Sequence, residues 1–264
     1  MKQIIYVIAV LLLISACSTV PITGRRQLDL VPASQVISLS FDSYQQVLKD
    51  NKLSTDAKQT AMVKNVGVRI QKAVEEYMAQ NNLSSRLDGF QWEFNLIEST
   101  AVNAFCMPGG KVAFYTAIMP ICKDETGIAV VMGHEVAHAI ANHGGERMSQ
   151  GLIQQMGGSA LSAALKNKPQ ATQDLALSAY GAGSNLFGIL PYSRLQESEA
   201  DKLGLIFMAM AGFDPREAPN FWVRMSSGKT QSTPEFLSTH PADETRIKGL
   251  NDYMTVALKY YKPK

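Results

Sequence analysis

Residues 124–142 read DETGIAVVMGHEVAHAIAN, and this stretch decides the fold. Ile128, Val131, Met132, Val136, Ala139 and Ile140 recur at helical spacing, and Asp124 stands where an N-cap belongs. The pattern predicts a buried or half-buried helix over 124–142. Residues i and i+4 of a helix lie one above the other, so His134 and His138 share a face. Two imidazoles one turn apart suit a single Zn²⁺ ion at about 2.0–2.1 Å each. Glu135 is turned about 100° from His134. It stands beside the metal without ligating it, the position of a general base toward water. A purely structural zinc site needs no such base.

A catalytic zinc site usually takes three protein ligands and leaves one position open. His143 follows His138 by five residues, about 140° around the helix, so it cannot reach the same metal from the same helix. It reads as a helix-end histidine or one standing behind the ligands. The alternative is a carboxylate from another helix. Arg194–Ala211 is such a helix, carrying Glu197, Glu199 and Asp201 and stopping at Gly212, a C-cap signal. Glu197 and Asp201 share a face, and Glu199 is about 200° from Glu197. Spacing alone permits either Glu197 or Glu199 as the third ligand.

Working outward, Thr55–Gln80 places Met62, Val66, Ile70, Val74 and Tyr77 at helical spacing, and Phe41–Lys49 reads as a short helix. Between them and the metal motif the period changes. Phe90, Trp92, Phe94 and Leu96 alternate with polar residues, which predicts a strand. Ala101–Cys106 and Lys111–Ala117 flank Pro108-Gly109-Gly110 and read as a hairpin. After Lys123 the chain looks helical throughout, and 144–190, rich in Gly, Ala, Ser and Gln, reads as a helical insertion over the domain. Strands followed by helices predict an α+β class: a mostly helical domain with a small antiparallel sheet beside the His134–His138 helix.

The amino terminus carries a separate message. Lys2, the apolar run Ile4–Ile14 and Ser15-Ala16-Cys17 have the order of a secretory signal, and the run is too short to span a bilayer. The stretch resembles a bacterial lipoprotein signal, which implies a leader over 1–16 and a lipid on Cys17. Residues 17–40 then read as a tether and 41–264 as the catalytic domain. With Cys17 lipidated, only Cys106 and Cys122 remain of three cysteines. Export permits a disulfide between them, two free buried thiols being the other outcome.

The motifs together resemble the M48 family of gluzincin metallopeptidases, in particular its periplasmic lipoprotein members. The matching segments are Thr23–Leu28, Asn103–Phe105, Pro108–Gly110, Gly133–His143, Tyr192–Arg194, Glu197–Asp201 and Thr239–Pro241. The resemblance implies Glu197 as third zinc ligand and Asp201 as a hydrogen-bond partner of a ligating imidazole. It also places His240 near the zinc, masking it or helping to stabilise the oxyanion. Arg194 and Arg246 are weaker candidates for supporting the site.

One Zn²⁺ per chain and protein or peptide substrates follow from that resemblance. So does a place on the periplasmic side of the cell envelope, with the outer membrane favoured. The expected reaction is hydrolysis of peptide bonds in misfolded or misassembled envelope proteins, with substrate added as a strand along Asn103–Met107. The alternative is an envelope assembly factor or chaperone with a latent protease site, working beside the assembly machinery. Composition excludes other classes. Of 264 residues 46% are hydrophobic and 18% charged, so the chain is no disordered tail; a net charge of +2 is too balanced for electrostatics alone to imply nucleic acid, and none is expected.

Overall fold

The structure is a computed structural model and describes residues 17–184, 190–227, 235–240 and 244–263. The leader read over 1–16 and Pro241 lie outside the described residues. In chain order the elements are β1 (Cys17–Thr19), β2 (Arg26–Leu28), α1 (Ala33–Asp50), α2 (Ala57–Gln80), β3 (Glu93–Ile97), β4 (Ala104–Met107) and β5 (Lys111–Tyr115). The helices α3 (Met119–Cys122), α4 (Glu125–Ile140), α5 (His143–Leu165), α6 (Gln170–Ser184) and α7 (Leu190–Met210) follow. The described chain then forms α8 (Glu217–Ser227), α9 (Glu235–Thr239) and α10 (Glu244–Ala257). The class is α+β and mostly helical. The chain divides into two compact units, Ser34–Ala141 with Glu197–Lys264, and Met1–Ala33 with Asn142–Gln196.

In the first unit β5 is the central strand, antiparallel to β4 and parallel to β3. The sheet is therefore mixed, not wholly antiparallel as the hairpin suggested. The short link from β3 to β4 must pass over one strand width, and a residue reaches up to about 3.5 Å, so six residues suffice to leave a gap that β5 fills. Alternation along the strands sorts the two faces. Tyr44 of α1 packs with Ile97 and Ala113 on one face, alongside Phe105 and Tyr115. On the other face Gly67 of α2 lies so close to Phe94 that a Cβ there would clash with the ring. The helix expected over 124–142 is α4, capped by the Asp124 carboxylate, which accepts from Gly127 N.

Helix α7 ends in a Schellman turn, with Phe213 N donating to Met208 O, Gly212 N donating to Ala209 O, and Gly212 at φ +84°. Arg69 of α2 donates Nε and Nη2 to Ala211 O and stacks on Phe213, which fixes that helix end. The backbones of α4 and α7 touch. A Cβ on Gly133 would meet Gly204 O at 2.9 Å, and one on Gly204 would meet His134 N at 2.9 Å.

In the second unit the stretch read as a tether carries ordered structure. β1 and β2 pair antiparallel, and Val20 and Gln27 are buried. Arg25 grips Glu146 of α5 through two hydrogen bonds of 2.7 and 2.8 Å, and Gln196 donates to the same carboxylate. Leu30 N donates to Ser149 Oγ. The segment read over 144–190 is helical as expected, in α5 and α6 joined by a turn over 166–169, while 185–189 are outside the described residues.

Candidate metal centre

Two helices and one helix end build the site. α4 supplies His134, Glu135 and His138; α7 supplies Glu197 and Asp201; His240 follows α9. Ligand atoms of His134, His138, Glu197 and His240 all lie within 4.8 Å of one another. His134 Nε2 is 3.1 Å from His138 Nε2 and 3.2 Å from His240 Nδ1. Glu197 Oε2 lies 3.3 Å from His134 Nε2 and 2.9 Å from His240 Nδ1, and Oε1 lies 3.3 Å from His138 Nε2.

The geometry fits a tetrahedral zinc ion. Bonds of about 2.0–2.1 Å place tetrahedral ligand atoms about 3.3 Å apart. Four of the separations above join one atom per residue, with Glu197 Oε2 as the carboxylate atom, and run from 2.9 to 3.3 Å; the fifth brings Oε1 within 3.3 Å of His138. Hydrogen bonds alone do not account for three imidazole nitrogens converging on one point, because each carries one in-plane proton or lone pair. Glu135 adds a second sign. Its Oε1 is buried with no hydrogen-bond partner among the described residues, and His240 Nε2 is its near neighbour at 3.6 Å. A buried carboxylate oxygen left bare is a place for a polar reactant.

Electrostatics prepare each group differently. Burial pushes the Glu135 carboxyl above its usual range, although His240 and His134 pull the other way. Burial also works on Glu197, but hydrogen bonds from His134, His138 and His240 outweigh it and hold the carboxyl far below the usual range. For His134, burial and Arg246 lower the imidazole, while Asp201 and Glu197 more than offset them and lift it to about 9.

Behind the ligands, Asp201 Oδ1 accepts from His134 Nδ1 at 3.0 Å, which leaves the Nε2 lone pair for a metal. Arg246 of α10 donates Nη2 to Asp201 Oδ1 at 2.7 Å and Nε to Oδ2 at 2.9 Å. Its Nη1 reaches the carbonyl of His240 at 3.3 Å. The guanidinium lies 3.3 Å over the Trp222 ring, and Trp222 in turn meets His134 edge-on. Phe236 stacks on Trp222 and touches His240. Arg246 and the aromatic floor of Trp222 and Phe236 were weak or silent in the sequence, because a lone Arg or Trp carries no spacing signal.

The predicted ligands and Asp201 converge here; His143 and Glu199 are not part of the four-residue group. His143 is buried at the start of α5, and Glu199 is buried on α7. Arg194 is exposed. Asn103–Met107 includes β4, which is an edge strand of its sheet. The permitted disulfide is absent. Cys106 and Cys122 are free thiols on separate elements, and burial raises both well above a thiol's ordinary range, so they stay protonated. Cys17 opens β1.

Comparison with known proteins gives the site its context. The "Mitochondrial metalloendopeptidase OMA1" of Saccharomyces cerevisiae is 34% identical over 208 residues, covering 76% of this chain and 57% of that protein. The protein of the same name from Schizosaccharomyces pombe is 32% identical, covering 90% of this chain and 66% of its own length. A "Putative beta-barrel assembly-enhancing protease" of Vibrio cholerae is 30% identical, covering 78% of this chain and 41% of that one. The chain thus spans between two fifths and two thirds of these relatives. The model of peptidase family M48 matches residues 67–254, a range that holds His134, His138, Glu197 and His240. With that match on the same residues that converge in space, the chain belongs to peptidase family M48.

Proposed function

We propose that this chain is a zinc-dependent endopeptidase of the bacterial cell envelope, holding one Zn²⁺ and cleaving misfolded or misassembled envelope proteins. The observation that carries the reading is the largely buried group of His134, His138, Glu197 and His240 with the bare Glu135 Oε1 beside it. His134, His138 and Glu197 are the metal ligands. Zinc, when bound, supplies Lewis acidity and brings the pKa of a water held against it toward ~7. Glu135, whose carboxyl is raised by burial, takes a proton from the attacking water and returns it to the leaving amine. Asp201 holds His134 in the ligating tautomer, and Arg246 holds Asp201. Substrate lies along the free edge of β4, where backbone groups offer strand pairing.

The envelope location and a working relation to assembly machinery rest on the lipoprotein-like leader with Cys17 and on the name carried by the Vibrio cholerae relative. The site is tested with the purified protein and Glu135→Gln. Casein cleavage should require zinc and fall by a factor of about 10²–10⁴ in the variant, while zinc content stays unchanged. Cleavage undiminished in Glu135→Gln would remove Glu135 from the chemistry.

A second reading has its own observation. His240 Nδ1 occupies the fourth corner of the ligand set, 2.9 Å from Glu197 and 3.2 Å from His134. Held there, it leaves no open position for a substrate carbonyl. The protein is then a latent protease acting mainly as an assembly factor, and His240→Ala should raise casein cleavage. On the first reading, where His240 supports the oxyanion, the same substitution lowers it.

A further inference from the structure

We infer that the hairpin of α5 and α6 is a docking element for an anionic lipid surface, lying in the headgroup layer and not crossing it. This rests on the reading of Cys17 as the lipid-bearing residue. The observation is an outward surface poor in charge, with Asp174 its one exposed acid between Gln150 and Ser184. From Gln150 to Leu165 the chain has no Asp, Glu, Lys or Arg, and from Leu175 to Ser193 again none. On α5 the side chains that point outward include Leu152, Ile153 and Met156, the last 70% exposed; on α6 Leu175 is 73% exposed. Ala160, Ala163, Ala171 and Ala179 are exposed around them. A helix face turned to water normally carries charge, and a run of exposed apolar side chains marks a surface that meets something apolar.

The opposite flank of α5 is already occupied. Tyr180 of α6 comes so close to Gly157 that a Cβ there would clash with its hydroxyl, and that hydroxyl donates to Gln154 O. The exposed stripe is therefore left over after the hairpin has closed.

Two features commit the occupant to lipid. The first is continuity with the anchor. Cys17 opens β1, β1 pairs with β2, and the segment around β2 is fastened to the root of α5 by Arg25 on Glu146 and Leu30 on Ser149. A lipid on Cys17 holds the same compact unit that carries the hairpin against the bilayer. The second is charge. Lys166 and Lys168 are exposed where α5 turns into α6, with Asp174 the one acid nearby in that stretch, so the turn is basic and faces anionic headgroups favourably. No helix among the described residues is long and apolar enough to cross a membrane. A hairpin with long charge-free stretches and a basic turn sits instead about 5–10 Å into the interface.

The test places a tryptophan on the stripe. The full chain carrying Met156→Trp, and separately Leu175→Trp, is reconstituted from detergent into vesicles of phosphatidylcholine and phosphatidylglycerol. Part of the phosphatidylcholine is brominated high on its acyl chains. Both positions are exposed, so circular dichroism should be unchanged. The added emission should shift to the blue and fall by about twofold or more under brominated lipid, beyond the native tryptophans. Lys166→Gln with Lys168→Gln should weaken that quenching in anionic vesicles, each lysine being worth about fivefold in binding. Quenching no greater than that of the native tryptophans overturns the inference. So does a blue shift that appears without vesicles together with cross-linked dimers, which would make a second copy the occupant. Lipid on Cys17 is read separately from the intact mass of the isolated protein, so failure of the anchor is not mistaken for failure of the hairpin.

Discussion

The meeting of α4 and α7 at Gly133 and Gly204 makes a sharp prediction about zinc. Replacing Gly204 with Ala puts a Cβ 2.9 Å from His134 N and 3.1 Å from His134 Cα. Both are backbone atoms of the ligand helix and cannot swing aside, whereas ordinary contact begins near 3.4 Å. The helices must part by about 0.5 Å. A metal site tolerates errors of about ±0.2 Å in its ligand distances. Overpacking of this kind costs about 1–3 kcal/mol, and removing a mid-helix glycine returns up to about 1 kcal/mol. Folding stability should therefore fall by no more than about 3 kcal/mol, while zinc affinity falls tenfold or more and casein cleavage falls with it. Urea unfolding reads the first, and competition with a chromophoric chelator reads the second. Gly249→Ala is the control. Nothing stands within 4 Å of its added Cβ, so it should be neutral or stabilise by up to about 1 kcal/mol. Wild-type zinc affinity in Gly204→Ala would refute the argument that this backbone contact sets the ligand spacing.

Two further outcomes follow from the charges behind the ligands. Arg246→Met leaves the buried Asp201 carboxylate without its main partner and should cost about 3–5 kcal/mol, less once Asp201→Asn is added; additive losses in the double-mutant cycle would dissolve the pair. In the metal-free protein the folded pKa of His134 is raised to about 9 from an unfolded value near 6.5. That contribution to stability is full below about 6.5 and lost as pH rises through about 9. At pH 7.5 zinc must displace this proton, so uptake should release protons into a weakly buffered indicator, and a pH-independent affinity between 6.5 and 9 would contradict it.

Much of this centre was legible because helical periodicity is rigid. His134, Glu135 and His138 on α4, and Glu197 with Asp201 on α7, follow from 3.6 residues per turn once each helix is found. The choice of Glu197 over Glu199 came from the family resemblance, since spacing left both open. Arg246 and Trp222 were obscure because their role depends on α8 and α10 closing over His134, a long-range event without a local pattern. Gly133 and Gly204 were equally quiet, as a glycine that permits two backbones to touch looks like any helical glycine. The direction of β3 depended on which strand fills the centre of the sheet, and alternation within a strand says nothing about its neighbours. The hairpin of β1 and β2 was hidden because its order comes from Arg25 reaching Glu146, 121 residues away.

The central claim is that His134, His138 and Glu197 hold one zinc ion with Glu135 poised beside it. Crystals of the zinc-loaded protein, measured on both sides of the zinc absorption edge, test it directly. The account predicts one anomalous peak per chain at about 2.0–2.2 Å from His134 Nε2, His138 Nε2 and a Glu197 carboxylate oxygen, with Glu135 outside bonding distance. A peak coordinated without Glu197, or one ligated by Glu135, contradicts it.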